Sequence, residues 1–385
     1  MTGDIPIRLP APLGGAPDLL VVAGEHSGDE HAARMVGGLL AGRRTLKVAA
    51  LGGPRLAAAG AQLLHDRTTL SVVGLGEVIR NLAYFRALID ETVHWIGRHR
   101  PRAVCFVDNS GVNLRIAEEL RLRGISARGG GGVRTLYYIS PQVWASRAAR
   151  RFDMARNLDA LGVIFPFEVG CYADTGLPVE FVGHPFLAPD YTPPVSYDPA
   201  GPVLLLPGSR VKAVSRIFPA LLAGYREFAA GSGRREAVVL YPSAAVRRQL
   251  ESSPLPDGVS LRQTGAPLAA SAALTSSGTM SMHCALAGIP AAIAYRTDLF
   301  TYVMARWLVR VPYLGIANIL LGEELYPEYI QGAASPGALA QELASCVGDP
   351  ARRERTLRKS GELRAMLTRR SEGETESGWL SRNLP

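Results

Sequence analysis

The stretch ALTSSGTMSMHCALAGIP (residues 273–290) passes from a short apolar segment straight into a helical pattern. The break between them is Ser276, Ser277, Gly278 and Thr279, all small residues that allow close approach to the backbone. A strand that turns at once into a helix is the unit of a doubly wound α/β sheet. The first helical turn presents unpaired N–H groups and the positive end of the helix dipole, a seat for an anion such as phosphate. Ser and Thr are also what a plain N-cap uses. The stretch alone therefore leaves a capped helix and an anion seat both open.

The same unit recurs outward in both directions. LLVVAG (19–24) precedes a helical pattern with Ala33, Val36, Leu39 and Leu40 on one side. LKVAALGG (46–53), AVCFVD (103–108), TLYYIS (135–140), LGVIF (161–165) and VEFVG (179–183) are further apolar runs. Runs without polar alternation indicate strands covered on both faces, as in a parallel sheet. PFLAPDYTPPVSYDPAGP (185–202) holds six prolines and no periodicity, the composition of a linker. The pattern then restarts with VLLLPG (203–208), AVVLY (237–241), AALTS (272–276) and PAAIAY (290–295). The expected organisation is a doubly wound domain over 1–186, a linker over 187–202, a second doubly wound domain over 203–345 and a basic helical tail over 346–385. RGGGGVR (128–134) is a loop before a strand; it lacks the Gly-Lys-Ser/Thr of a phosphate loop.

Composition narrows the class. The 385 residues suit two α/β domains, with 47% hydrophobic and 20% charged residues. No apolar run approaches the roughly 20 residues of a membrane span, and the first 18 residues lack the basic and apolar regions of a signal peptide. Cys105, Cys171, Cys284 and Cys346 have no metal-ligand spacing; Cys105 and Cys284 fall in apolar runs and read as core thiols. The expectation is a reduced, cytoplasmic protein with no metal. Net charge is +8 and uneven: 351–370 carries eight Lys/Arg against two Glu, and 146–156 adds another basic patch around Arg147, Arg150 and Arg151. Such patches suit an anionic partner, whether a phospholipid surface or a phosphorylated substrate. Nucleic acid is not expected, because zinc-finger spacing, aromatic RNA-binding signatures and a basic reading helix are all missing.

In doubly wound sheets ligands bind at the carboxyl ends of strands, and four such ends carry chemistry. AGEHSGDEH (23–31) opens a helix with a Gly turn, a Ser and acids; VDNSGVN (107–113) ends another strand. LLLPGSR (204–210) puts a tight turn and Arg210 at a strand end, and SSGT (276–279) is the fourth. Arg210 can offer a bidentate charged contact and the helix beginning at Gly278 can offer N–H groups, so both suit one diphosphate.

These motifs resemble the lipid-A-disaccharide synthase family, glycosyltransferases of the two-Rossmann-domain, GT-B type. The resemblance runs from about residue 18 to about 335 through AGEHSGD, GGPRLAAAG (52–60), SVVGLGEVI (71–79), YYISPQVWASRAARRF (137–152) and FPFEVGCYADTGLPVEFVGHPF (165–186). It continues through LLPGSR, SSGT, AYRTDLFTYVMARWLVRVPYLGIANILLGEEL (294–325) and PEYIQ (327–331). It implies two Rossmann-like domains facing across a cleft. It also implies metal-independent, inverting transfer of a 2,3-diacylglucosamine unit from UDP-2,3-diacylglucosamine to 2,3-diacylglucosamine 1-phosphate, at the cytoplasmic face of the inner membrane, without a cofactor. Homodimerisation stays open. A related transferase with another acceptor, or a nucleotide-sugar or lipid binder without turnover, are the other readings.

The base is then expected at Asp108 or Glu25. The donor is expected on Gly208, Ser209, Arg210, Ser277, Gly278, Thr279 and His283, with Asn318 near the nucleotide. The acceptor is expected on Ser27, Gly28, Asp29, Asn113, Ser140 and Trp144. LFTYVMARWLV (299–309), with Arg306 and Arg310 beside it, reads as a core stripe or an acyl or membrane contact. Three positions depart from the family pattern: Gly111, Ala213 and His283 stand where it has carboxylates.

Overall fold

The apolar runs form strands, each parallel to its neighbours, and the polar segments that the runs did not reveal lie at the sheet edges. The structure, a computed structural model, describes residues 7–68, 78–232, 236–298, 311–368 and 375–385. SVVGLGEVI falls mostly outside these residues, and LFTYVMARWLV with Arg306 and Arg310 falls wholly outside them. The chain divides into two compact units, residues 1–185 with 369–385, and residues 186–368.

The first unit contains β1 (Leu19–Ala23), α1 (Glu25–Gly42), β2 (Val48–Gly52), α2 (Pro54–Ala58), β3 (Gln62–Asp66), α3 (Val78–His99), β4 (Ala103–Val107) and α4 (Ser110–Leu122). It continues with β5 (Arg134–Tyr138), α5 (Arg150–Asn157), β6 (Ala160–Val163) and β7 (Val179–Phe181). The sheet order is β3-β2-β1-β4-β5-β6-β7. Strand order reverses between β1 and β4, whose register pairs Ala23 with Val107. β1, β2 and β4 are buried along their whole length, which is why these segments are uniformly apolar. β3 is only half buried and its sequence, QLLHD, is correspondingly mixed.

The second unit contains β8 (Val195–Tyr197), β9 (Val203–Leu206), α6 (Val211–Ser232), β10 (Ala237–Tyr241), α7 (Ala244–Glu251), β11 (Val259–Gln263), β12 (Leu268–Ala270) and β13 (Ala272–Thr275). α8 (Thr279–Ala287), β14 (Ala291–Tyr295), α9 (Ile316–Leu321), β15 (Glu328–Ile330), α10 (Pro336–Gly348) and α11 (Pro350–Leu367) complete it. Its main sheet runs β11-β10-β9-β13-β14-β15, and β12 pairs with β8 beside it. Order reverses between β9 and β13, where Leu206 pairs with Thr275.

Two features differ from the expected organisation. The segment after Pro185 is not a bare linker, since β8 pairs with β12 and Tyr191 stacks on His283. The tail over 346–385 is not a unit of its own either. α11 belongs to the second unit, whereas α12 (Glu376–Asn383) returns to the first, packing on α1. There Trp379 is 1% exposed and lies against Tyr138, and a β-carbon on Gly162 would meet its ring at 3.2 Å.

The basic residues of α11 are mostly structural. Arg352 bonds Glu342 and the Ala291 carbonyl, Arg355 pairs with Glu323, Lys359 with Glu323 and Glu362, and Arg364 donates to the Leu286 carbonyl. Cationic side chains thus satisfy carbonyls and carboxylates of their own unit, and the count of charges overstated the free patch. Among the described residues no helix is long and apolar enough to cross a membrane. Cys105, Cys284 and Cys346 are buried free thiols, and Cys171 is half-buried.

Candidate functional site

The reversal between β9 and β13 brings the two expected donor loops together. Ser276 N–H donates to the Leu206 carbonyl at 2.9 Å, tying one loop to the other. Gly208 has φ +107, a conformation that side chains rarely adopt, and a β-carbon there would stand 3.2 Å from Ser276 Oγ. Arg210 follows at the start of α6, its carbonyl accepting from Ala213 and Val214 N–H. Its side chain is exposed and has no partner among the described residues.

The start of α8 is an open helix terminus. Gly278 occupies the N-cap position in extended conformation, and no side chain caps the helix. Ser281 Oγ and N–H both turn back to the Gly278 carbonyl, and Gly278 and Thr279 are exposed. Ser277 is half-exposed and is not a cap. The starts of α6 and α8 thus flank one reversal point, with the exposed Arg210 leading into α6.

His283 does not face that seat. It is 6% exposed, its ring is stacked 4.0 Å from Phe186 and lies parallel to Tyr191, and Nε2 shares a 3.2 Å hydrogen bond with the Tyr191 hydroxyl. Asn318 is also committed. It is fully buried, accepts from Leu325 and Tyr326 N–H, and donates to the Tyr326 carbonyl and Glu328. Glu328 in turn receives the N–H groups of Leu314 and Gly315 ahead of α9. The Asn-Ile-Leu-Leu segment therefore builds a loop, and Asn318 is corrected from a nucleotide contact to a structural tie. Ala213 packs on the hydrophobic core of the unit.

In the first unit the reversal between β1 and β4 is marked by backbone strain. Glu25, Asp108 and Asn109 have φ +52, +49 and +43, and Ile139 at the end of β5 has φ +66. Non-glycine residues enter this region at a cost, and such strain gathers where ligands are held. A β-carbon on Gly24 would lie 2.0 Å from Asn109 Nδ2, so only glycine lets the two turns meet. Tyr137 donates to the Asp108 carbonyl at 2.5 Å.

Asp108 is exposed as a residue, so a substrate can reach its carboxyl. The carboxyl is nonetheless held above the ordinary carboxylate range. Burial raises it, the Asn109 N–H opposes, and the Glu25 charge adds to the rise. Glu25 and Ser27 are exposed at the first turn of α1. Gly28 is buried there, and a β-carbon on it would lie 3.8 Å from the Val107 carbonyl.

Two expected acceptor contacts are corrected. Asp29 is 2% exposed, and its carboxylate accepts from Gly53, Arg55 and Leu56 N–H at 2.8, 3.0 and 3.2 Å. It caps α2. Asn113 is fully buried and donates to the carbonyls of Val22, Val107 and Asp108, stitching β1 to β4. Ser140 is buried against the Tyr172 hydroxyl, and Trp144 donates its indole N–H to Glu168.

The sequence reading missed Glu168 and Arg67. Glu168 is 1% exposed, and burial pushes its carboxyl up to about 7, against the hydrogen bonds from Phe165 and Trp144. Arg67, just past β3, is 6% exposed at the same strand ends. Its nearest signal, HDR after an unrevealed edge strand, carries no motif. A concavity of about 380 Å³ lined by Pro12, Leu13, Pro17 and Leu46 lies by the amino ends of β2 and β3, away from all this chemistry. Among the described residues no group of His, Cys, Asp or Glu is placed to hold a metal ion.

Two parallel doubly wound sheets, each reversing its strand order near the middle, define a two-Rossmann-unit fold of the GT-B glycosyltransferase type. Solved structures agree on that fold. The glycotransferase of kitacinnamycin matches 96% of this chain and all of its own at TM-score 0.60 and 16% identity. The calicheamicin glycosyltransferase CalG4 matches 97% of this chain and all of its own at TM-score 0.58 and 16% identity. The particular family follows from sequence: residues 19–377 match the lipid-A-disaccharide synthetase model. The lipid-A-disaccharide synthase of Nitrosococcus oceani is 33% identical over 88% of this chain and 89% of its own length, and that of Anaeromyxobacter sp. strain K is 34% identical over 91% and 93%. The chain belongs to the lipid-A-disaccharide synthase family.

Proposed function

We propose that the protein is a lipid-A-disaccharide synthase. The second unit holds the UDP end of UDP-2,3-diacylglucosamine, and the first holds 2,3-diacylglucosamine 1-phosphate. The acceptor O6 attacks donor C1 with inversion, the bond from C1 to the diphosphate oxygen breaks, and UDP leaves. The O6 proton passes to the Asp108 carboxylate, with Glu25 as its neighbour and reserve. Arg210 and the N–H groups at the start of α8 take up the charge developing on the diphosphate. Gly208, Ser209, Ser277, Gly278 and Thr279 shape that seat; Ser27, Gly28, Ser140 and Trp144 border the acceptor end. The observation that carries this reading is the uncapped start of α8 beside Arg210, in a chain of this family.

Purified protein with both substrates should yield the disaccharide and UDP, read by mass spectrometry. UDP binding without any disaccharide would reject the reaction and leave a nucleotide-sugar binder. Arg210→Ala is expected to weaken UDP binding by about 1.5–3 kcal/mol, the range for a charged hydrogen bond, without dependence on added magnesium. Calorimetry showing unchanged affinity removes Arg210 from the donor site.

Membrane contact is proposed for the α5 face rather than for α11. Phe152 and Val169 are 41% and 38% exposed, and Arg147, three residues before α5, is exposed too. Arg151 and Arg150 are partly occupied by Asp174 and Ser110. Salt-sensitive sedimentation with anionic vesicles, reduced in Phe152→Ser with Arg147→Ser, is the expected result. Equal recovery with neutral vesicles would reduce this face to ordinary solvated surface. The setting proposed is the cytoplasmic face of the inner membrane.

A further inference from the structure

We infer that Arg67 is the anion-binding residue of the first unit, holding the phosphate monoester of the acceptor sugar beside the Glu25 and Asp108 carboxylates. The inference rests on the acceptor lying at the ends of β1 and β4, as proposed above, and it names the group that recognises its charge. Arg67 N–H is fixed to the Gly52 carbonyl at 2.6 Å, which sets the side chain at the carboxyl end of β2. The residue is 6% exposed. Among the described residues its guanidinium makes one hydrogen bond, a long one of 3.4 Å to Asn113 Oδ1, and no ion pair.

A guanidinium carries five N–H donors, and a buried one is ordinarily matched by a carboxylate or phosphate in bidentate fashion. Leaving it buried with one neutral partner is costly. Asn113 offers the guanidinium only its neutral Oδ1, since its amide N–H groups are donors and serve three carbonyls. Burial lowers the Arg67 pKa to about 10, with Tyr84, Tyr137 and Glu25 opposing, so the group remains a cation at neutral pH. From the other side of the β1–β4 turn, Arg150 donates to Ser110 Oγ at 3.1 Å. The turn with two carboxylates is thus flanked by two guanidiniums.

That charge pattern matches a hexose 1-phosphate. C1 and C5 of a hexopyranose both bond the ring oxygen and C6 is carried on C5, so the 1-phosphate and the O6 nucleophile both lie on the ring-oxygen edge of the sugar. A carboxylate placed to take the O6 proton therefore has the phosphate close by. Without a cation there, the dianion would be repelled by Asp108 and Glu25.

The test is calorimetry on the full-length protein with glucosamine 1-phosphate and with unphosphorylated glucosamine. Wild type is expected to prefer the 1-phosphate by at least about tenfold, the effect of a charged hydrogen bond. R67Q is expected to lose that preference while UDP affinity and Tm stay near wild type. Should R67Q fail to fold, R67M serves instead, because an apolar side chain of similar volume is tolerated in a buried ionic position. A wild type without preference for the phosphate, or a folded Arg67 variant that keeps the preference, overturns the inference. The transfer assay separates this from the proposed reaction. Disaccharide formation with unaltered preference in R67M removes the subsite and keeps the reaction. A lost preference in R67M with no transfer by wild type keeps the subsite and removes the reaction.

Discussion

Replacing Asp108 by Asn is expected to lower turnover by about 10²–10⁴-fold, the usual loss when a general base is removed, with UDP affinity near wild type. Asp108 ends β4 at the strand reversal in a left-handed turn, with an accessible carboxyl and Glu25 acting on it. Its carbonyl, not its carboxylate, receives the Tyr137 and Asn113 hydrogen bonds, so the amide replacement leaves the turn intact. The pH dependence has a definite sign. The base works ionised, so kcat/KM should fall as pH drops through a value above the ordinary carboxylate range. For stability, a raised folded pKa means that the protonated form is favoured by the fold. That contribution is present below the unfolded pKa and lost as pH rises through the raised one. Neutralising the group at neutral pH should therefore leave Tm near or slightly above wild type. Gly111, where the family has a second acid, offers a contrast: a β-carbon there meets nothing within 4 Å. Gly111→Asp should fold normally, and with Asp108 as base it should change turnover little. Full activity in Asp108→Asn would transfer the role to Glu25, tested by Glu25→Gln.

How much of this was visible in sequence depended on range. Central strands such as β1, β4 and β9 are buried on both faces and must be apolar throughout, so VCFV and VLLL announce them. Edge strands such as β3 and β11 are half-wet, and QLLHD and VSLRQ carry no such pattern. Glycine turns and small-residue loops also read correctly, because Gly208 and Gly278 act through their own backbone. Side chains that act on distant backbone did not. Asn113 bonds a carbonyl 91 residues away and Asp29 bonds N–H groups 24 to 27 residues away. A polar residue at a strand end looks the same whether it holds a ligand or another turn. Within the basic run over 351–370, Arg352, Arg355 and Arg364 likewise meet Glu342, Glu323 and the Leu286 carbonyl, partners that come from other elements.

Asp29 provides the sharpest test of that distinction, because the two readings predict opposite phenotypes. If its carboxylate caps α2, Asp29→Ala strands the N–H groups of Gly53 and Leu56 in a buried site and that of Arg55 in a half-buried one. An unsatisfied buried donor costs roughly 1–3 kcal/mol, and the losses are not additive within one network. A total of about 3–5 kcal/mol, among the larger single-residue effects, is expected. For a unit of this size that lowers Tm by about 10 °C. Asp29→Asn should fall between, since one oxygen can still accept from Gly53 and Leu56 while its NH₂ faces the Arg55 donor. UDP affinity of the folded variants should not move, because Arg210 and α8 belong to the other unit. The measurement is a melting curve paired with acceptor-binding calorimetry. Asp29→Ala that melts with wild type yet loses the acceptor would return Asp29 to the binding site; a lowered Tm with acceptor affinity intact in the folded fraction fixes it as the cap that holds α2 against the end of β2.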